Sequence, residues 1–155
     1  MATAASLRGP LLRGVGEAAR AALDARASSI ALVDTRTGDL VFEAVAGGGG
    51  PELLGAHFRA DEGIAGHVVQ TGAPLMIDDL AREPRFAHDI AVETGYSPES
   101  LYASPITVDG AAVGVLSVLD PGRPPPGGAT AVLEALCAHA ALALALSDAL
   151  GDGRG

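Results

Sequence analysis

Apolar positions along this chain alternate between a spacing of four and short, nearly continuous runs, and the changes of spacing mark out its elements. Leu7, Leu11, Val15, Ala19 and Leu23 recur every four residues, which predicts an amphipathic helix over 3–27. Gly9-Pro10, Gly14 and Gly16 weaken its first half. Ser28–Asp34 and Leu40–Ala46 read as two strands, and Thr37-Gly38-Asp39 between them is turn chemistry. Pro51 can open a helical turn as far as Leu54. A helix is expected within 61–72, with Asp61 as N-cap, Gly72 as stop, and Ile64 and Val68 facing inward.

Pro74–Leu80 reads as a strand, and Pro84 starts a helix that carries Phe86 and Ile90 four apart and ends at Gly95. Leu101–Val108 and Ala112–Leu119 are strands joined by Asp109-Gly110, the strongest hairpin signal in the chain. A proline-glycine loop over 121–128 precedes a long helix from Ala129 to about Leu150. Helices and strands mixed in this order predict an α+β domain around a mostly antiparallel sheet.

Composition narrows the class. The 155 residues suit one domain, and 48% hydrophobic against 19% charged residues supply a core without disulfides or metals. Nineteen acids face ten bases, all arginine, for a net charge of −9. Such a surface repels phosphate backbones, so neither nucleic acid nor an anionic membrane is an expected partner. Arg8, Arg13, Glu17 and Arg20 interrupt the N-terminus, which is unlike a signal peptide. The most apolar segment, 135–146, contains His139 and is short of the roughly 20 residues of a membrane span. One cysteine, Cys137, permits no internal disulfide and no multi-cysteine metal site, so a cytoplasmic location is expected.

The ordered set EGIAGHVVQTGAPLMIDDL (62–80), PRF (84–86), TGY (94–96), LYASPI (101–106) and VGVLSVLD (113–120) resembles the GAF domain family, over about Ser28 to Leu150. The resemblance implies a GAF/PAS-like fold with a five- or six-stranded antiparallel sheet. The first and last helices would lie on one face, and a lid of short helices and loops on the other would cover a small-molecule pocket. It divides the chain into an N-terminal helix (1–27), the GAF domain (28–150) and a disordered tail (151–155). Members act as sensory or dimerisation modules in signal transduction, including bacterial redox sensors, so a kinase or transcription regulator in a separate chain is the expected partner of a stand-alone member. Gly63 and Gly66 would let the backbone turn tightly into a helix, and Gly114, in mid-strand, would admit a close neighbour.

The defined chemistries of the family do not fit. Cyclic-nucleotide-binding members carry Asn-Lys after the last hairpin, where this chain has Asp120-Pro121. Bilin-binding members use a pocket cysteine, whereas Cys137 lies in an apolar helical run and reads as a small hydrophobe. Free-methionine-sulfoxide reductases work through several cysteines. Haem sensors place an axial histidine where Tyr96 stands here; a haem-binding redox or gas sensor is a minor alternative, and no cofactor is expected. His57, His67 and His88 fall on loops or helix surfaces. Asp78 and Asp79 are adjacent on a strand and point to opposite faces, so one of them is expected to cap the following turn rather than share a metal. Ser97, Ser100 and Ser104 lack a nucleophile elbow, and the glycine run 47–50 lacks the remainder of a phosphate loop. No enzyme is expected.

Two functions remain, and they are compatible. For a ligand, the resemblance places Met76, Asp78, Arg85, Phe86, Tyr96, Tyr102 and Ser104 around the pocket, and three of the chain's five aromatic residues are among them. For self-association, the last helix is apolar nearly all round and needs more cover than one sheet provides. A homodimer through a four-helix seam is expected, with Leu7, Leu11, Val15, Leu142, Leu146 and Leu150 as its candidates. A purely structural dimerisation module with an empty pocket is the alternative. The methionine start and the polar end suggest a complete small protein.

Overall fold

The computed structural model describes residues 4–48, 53–83, 98–122 and 128–152. Helix α1 spans Ala4–Ala22, and strands β1 (Ala27–Val33) and β2 (Leu40–Gly47) follow as a hairpin. Next come the two-residue strand β3 (His57–Phe58), helix α2 (Gly63–Thr71) and strand β4 (Leu75–Ile77). A 3-10 turn at Leu80–Arg82, strands β5 (Leu101–Val108) and β6 (Ala111–Leu119), and helix α3 (Ala129–Asp152) complete the order. The six strands form one antiparallel sheet in the order β3-β2-β1-β6-β5-β4. Asp109 and Gly110 both have positive φ, 51° and 82°, as a tight two-residue hairpin turn requires.

Side chains alternate across this sheet and separate two cores. On one face Ile30, Leu32, Ile106, Leu116 and Val118 pack with Leu12, Ala19 and Leu23 at α1 and with Leu133, Cys137, Ala140 and Leu144 of α3. On the other, Leu101, Ala103, Val115 and Ile77 pack with Ile64 and Val68 of α2 and with Leu80. Gly114 lies between Leu32 and Ile106; a methyl group there would sit 2.6 Å from both the Ala31 carbonyl oxygen and Leu32 Cδ2. The mid-strand glycine thus answers a close approach. Gly63 has φ +73°, and a side chain on Gly66 would run into the Ala60 carbonyl. Gly72, at φ 67°, ends α2 by donating its N–H to the Val68 carbonyl.

Several expectations need correction. Helix α1 stops at Ala22, and of the four-apart series only Ala19 and, just past the helix, Leu23 are fully buried, in line with Leu12 and Gly16. A spacing of four advances 400°, so the series drifts around the cylinder and leaves Leu7 and Leu11 outside the core. Residue Asp61 does not cap α2. Arg59 grips its carboxylate with two hydrogen bonds, at 2.9 and 2.6 Å, and this pairing holds the carboxyl below its ordinary range; Glu62 precedes the helix without a side-chain cap. The strand expected at 74–80 is only three residues long. Neither aspartate after it caps the 3-10 turn: Asp79 pairs with Arg82 at 3.5 Å, and Asp78 accepts a hydrogen bond from Tyr102. Strand β3 was too short to signal itself. In α3, Ala129–Ala149 is, against the segment reading, long and apolar enough by composition to cross a membrane, but Leu133, Cys137, Ala140 and Leu144 belong to the sheet core. The helix expected from Pro84 to Gly95 and the start of the turn at Pro51 lie outside the described residues.

Candidate functional site

Register shows which residues can meet a ligand. Across the helix-covered face run the rows Ala46–Ser28–Val118–Tyr102–Met76 and Ala44–Ile30–Leu116–Ser104. Met76 and Tyr102 pack against the α1/α3 core, and the buried Ser104 lends its carbonyl to the Cys137 thiol at 3.6 Å. The Tyr102 hydroxyl donates to Asp78 Oδ1 at 3.1 Å; burial, then this carboxylate, raise the phenol's pKa. Met76 and Asp78 therefore meet Tyr102, and Ser104 shares their face, but this is the side of α3 and not the lid side. The physical reason is the period of two: Leu75, Ile77, Leu101 and Ala103 take the lid side, and their neighbours in sequence cannot. Arg85, Phe86 and Tyr96 lie outside the described residues.

The lid side has its own rows. One runs Val45–Ser29–Ser117–Ala103–Leu75 across five strands, and the next runs Phe42–Ala31–Val115–Pro105. On the three middle strands, then, this face carries Ser29, Ala31, Ser117, Val115 and Ala103, all of them buried except the half-buried Ser29. Ile30, Leu116 and Val118 on the opposite face are fully buried, whereas Ser29, Phe42, Val45 and Val33 are only half-buried. Phe42 stacks at a tilt on Phe58, with ring centroids 5.0 Å apart, and so walls one side. Ser29 and Ser117 stand opposite each other on neighbouring strands, close enough for one polar group to reach both hydroxyls. Sequence reasoning missed them because a lone serine in a strand carries no signal until register supplies its neighbour.

Other candidates resolve into structural roles. Cys137 is buried, and burial pushes its thiol up to about 11, so it is an inert core group. Asp120, at φ 50°, accepts the backbone N–H groups of Glu99 at 2.7 Å and Ser100 at 3.1 Å, which ties the end of β6 to the entry of β5. Among the described residues no group of three or more His, Cys, Asp or Glu could hold a metal. His57 is exposed on β3, 4.0 Å from Asp39. His88 lies outside the described residues.

The outer side of the helix pair is the second candidate surface. Leu7, Leu11, Leu142 and Leu146 keep 39, 45, 57 and 51% of their surface exposed. Val15 is half-buried against the core, and Leu150 lies on α3 but its side chain is outside the described set.

The family model for the GAF domain matches residues 10–145, and the chain belongs to that family. A GAF domain from a phosphoenolpyruvate-protein phosphotransferase of Coxiella burnetii superposes with a TM-score of 0.82 at 24% identity, covering 94% of this chain and 86% of that one. Its counterpart from Acinetobacter gives 0.77 at 23% identity, with coverage of 94% and 86%. A free methionine-R-sulfoxide reductase from Neisseria meningitidis gives 0.72 at 19% identity over 91% of this chain and 80% of that one. In sequence, a probable 3',5'-cyclic phosphodiesterase of Caenorhabditis elegans is 32% identical over 89 residues, 57% of this chain. This chain spans only 12% of that protein's length. These likenesses place the protein in a sensory and regulatory domain family with an α+β fold.

Proposed function

We propose that this GAF domain is a non-catalytic sensor that holds a small molecule between the lid side of its sheet and the lid, and passes the signal on as a homodimer to a separate partner chain such as a kinase or transcription regulator. The ligand reading rests on one contrast. The face under the two long helices is closed throughout its centre, Ser28 and Ser104 included; the other carries Ser29, Ala31, Ala103, Val115 and Ser117 there and leaves Ser29, Phe42 and Val45 incompletely covered. Small side chains with hydroxyls there suit an apolar floor with a few polar anchors. A single buried thiol cannot run a disulfide-forming reductase cycle, which favours sensing over the chemistry of the reductase likeness.

Native mass spectrometry of the purified protein, with a thermal-shift screen of metabolites, tests the reading. A bound molecule or stabilising hit should be lost in Ser29→Val and Ser117→Val and kept in Asp78→Asn, which acts on the other face. Hits that depend on Asp78 and ignore both serines would refute this placement of the site. No hit across a broad library would leave self-association as the working function. Light scattering tests the dimer: Leu142→Arg and Leu146→Arg should give monomers with unchanged far-UV circular dichroism, because both leucines are already about half exposed in the single chain.

A further inference from the structure

At one margin of the helix-covered face the packing is incomplete. Beside the turn between β1 and β2, the start of α1, the end of α3 and the sheet enclose a groove of about 640 Å3, within the size range of small-molecule sites. Its floor is apolar, with Leu32 and Val41 from the first hairpin, Val108 and Val113 from the last, and Leu144 from α3. Leu32 and Leu144 belong to the core, whereas Val41, Val108 and Val113 are only half-buried, so apolar surface stays within reach of water. Ser29 and Ser117 lie on the opposite face of the sheet, so this groove is separate from the site proposed above.

Charge sets what the groove can hold. Of its three acids, Glu43 is held by Arg8 at 3.0 Å and Asp34 by Arg36 at 3.7 Å, and these pairs occupy both arginines of the lining. His57, the remaining titratable group, is exposed and lies 4.0 Å from Asp39. Asp148 is left over: it is exposed and has no ion-pair partner among the described residues. It stands about one turn before the end of α3 at Asp152, and the last turn carries no basic residue. The unpartnered carbonyls of a helix end are themselves negative, so the corner holds uncompensated negative charge that a cation would relieve.

We propose that this groove binds a small organic cation, with an ammonium group beside Asp148 and a short apolar body lying along Leu144 and the half-buried valines. An anion of the same shape would meet arginines that are already paired and would approach the Asp148 carboxylate. A wholly polar cation would leave the valines wet. A bare metal ion does not suit the groove, since among the described residues no group of three His, Cys, Asp or Glu could hold one.

A titration of the full chain followed by backbone-amide NMR tests the inference, with hexylammonium as the probe. Hexylammonium should move the signals of Leu32, Val113, Leu144 and Asp148 and leave those of Ser29 and Ser117 in place. Hexanoate has the same chain with the opposite charge, and methylammonium has the charge without the chain; neither should move the groove signals. Asp148→Asn, at an exposed position, should keep the far-UV circular dichroism and weaken hexylammonium binding by about fivefold, the upper range for an exposed ion pair. Raising salt should weaken it in the same direction. Glu134→Gln removes an exposed acid of α3 outside the groove and should change nothing. Groove signals that ignore hexylammonium, that respond equally to hexanoate, or that respond unchanged in Asp148→Asn would overturn the inference. Movement confined to Ser29 and Ser117 would also overturn it, while leaving the lid-side reading intact.

Discussion

Gly114 offers the sharpest test of the packing that holds the two faces in place. In Gly114→Ala the new methyl would lie 2.6 Å from the carbonyl oxygen of Ala31 and 2.6 Å from Leu32 Cδ2. Carbon and a carbonyl oxygen normally stay about 3.3 Å apart even in weak hydrogen-bonded contacts, so something must give by more than half an ångström. Leu32 can turn its side chain, at the cost of disturbing the core in which it is buried. Ala31 cannot easily yield, because β1 is hydrogen-bonded on both sides, to β2 and to β6. Overpacking of this kind costs roughly 1–3 kcal/mol. At about 2–4 °C per kcal/mol for a domain of this size, the melting temperature should fall by about 2–12 °C. Urea melts should show a lower midpoint and an unchanged slope, since the same surface is exposed on unfolding. Gly14→Ala is the control: nothing lies within 4 Å of its added methyl, and replacing a helical glycine should gain about 0.8–1 kcal/mol. Both proteins must be compared at one concentration, because dimerisation would make the melting temperature concentration-dependent. A Gly114→Ala protein that melts at or above the parent temperature would refute the close approach of β1 and β6 described here.

Further outcomes follow from named contacts. Cys137 should resist alkylation at pH 8 in the native protein and react on unfolding; rapid native labelling would contradict its burial. Its folded pKa of about 11 lies above the ordinary 9.0, so the native state keeps a proton that the unfolded chain releases. Its contribution to stability is full below pH 9.0 and is lost as pH rises to about 11, an effect that Cys137→Ala should abolish in pH-dependent urea melts. Asp120→Ala removes the acceptor of two backbone N–H groups and should cost about 1.5–3 kcal/mol, read by chemical denaturation, whereas Asp79→Ala, which breaks only an exposed pair with Arg82, should cost less than about 1 kcal/mol. Equal losses in the two variants would show that the Asp120 clamp carries no special weight.

Much of the architecture was legible because it rests on local chemistry. Both long hairpins, the last helix, the Gly72 stop and the Asp109-Gly110 turn were each announced within a few residues, since turn geometry and helix ends depend on the residues that make them. Cys137 was readable as a core residue from its apolar neighbours alone. The family could be recognised from five ordered segments, and the match over residues 10–145 agrees.

The site was a different matter. Four of the residues expected around a pocket, Met76, Asp78, Tyr102 and Ser104, share the α3 side of the sheet, while Ser29 and Ser117 take the centre of the lid side. A strand announces that its side chains alternate but not which parity faces which layer, and one step in register exchanges the two faces completely. By contrast, Leu7, Leu11, Leu142 and Leu146 were picked from the sequence as seam candidates, and the packed helix pair does leave all four exposed on its outer side. Sequence alone determined the elements and their order, because those depend on neighbours in the chain; tertiary packing assigned the faces, because that depends on neighbours as far apart in the chain as Leu12 and Leu144.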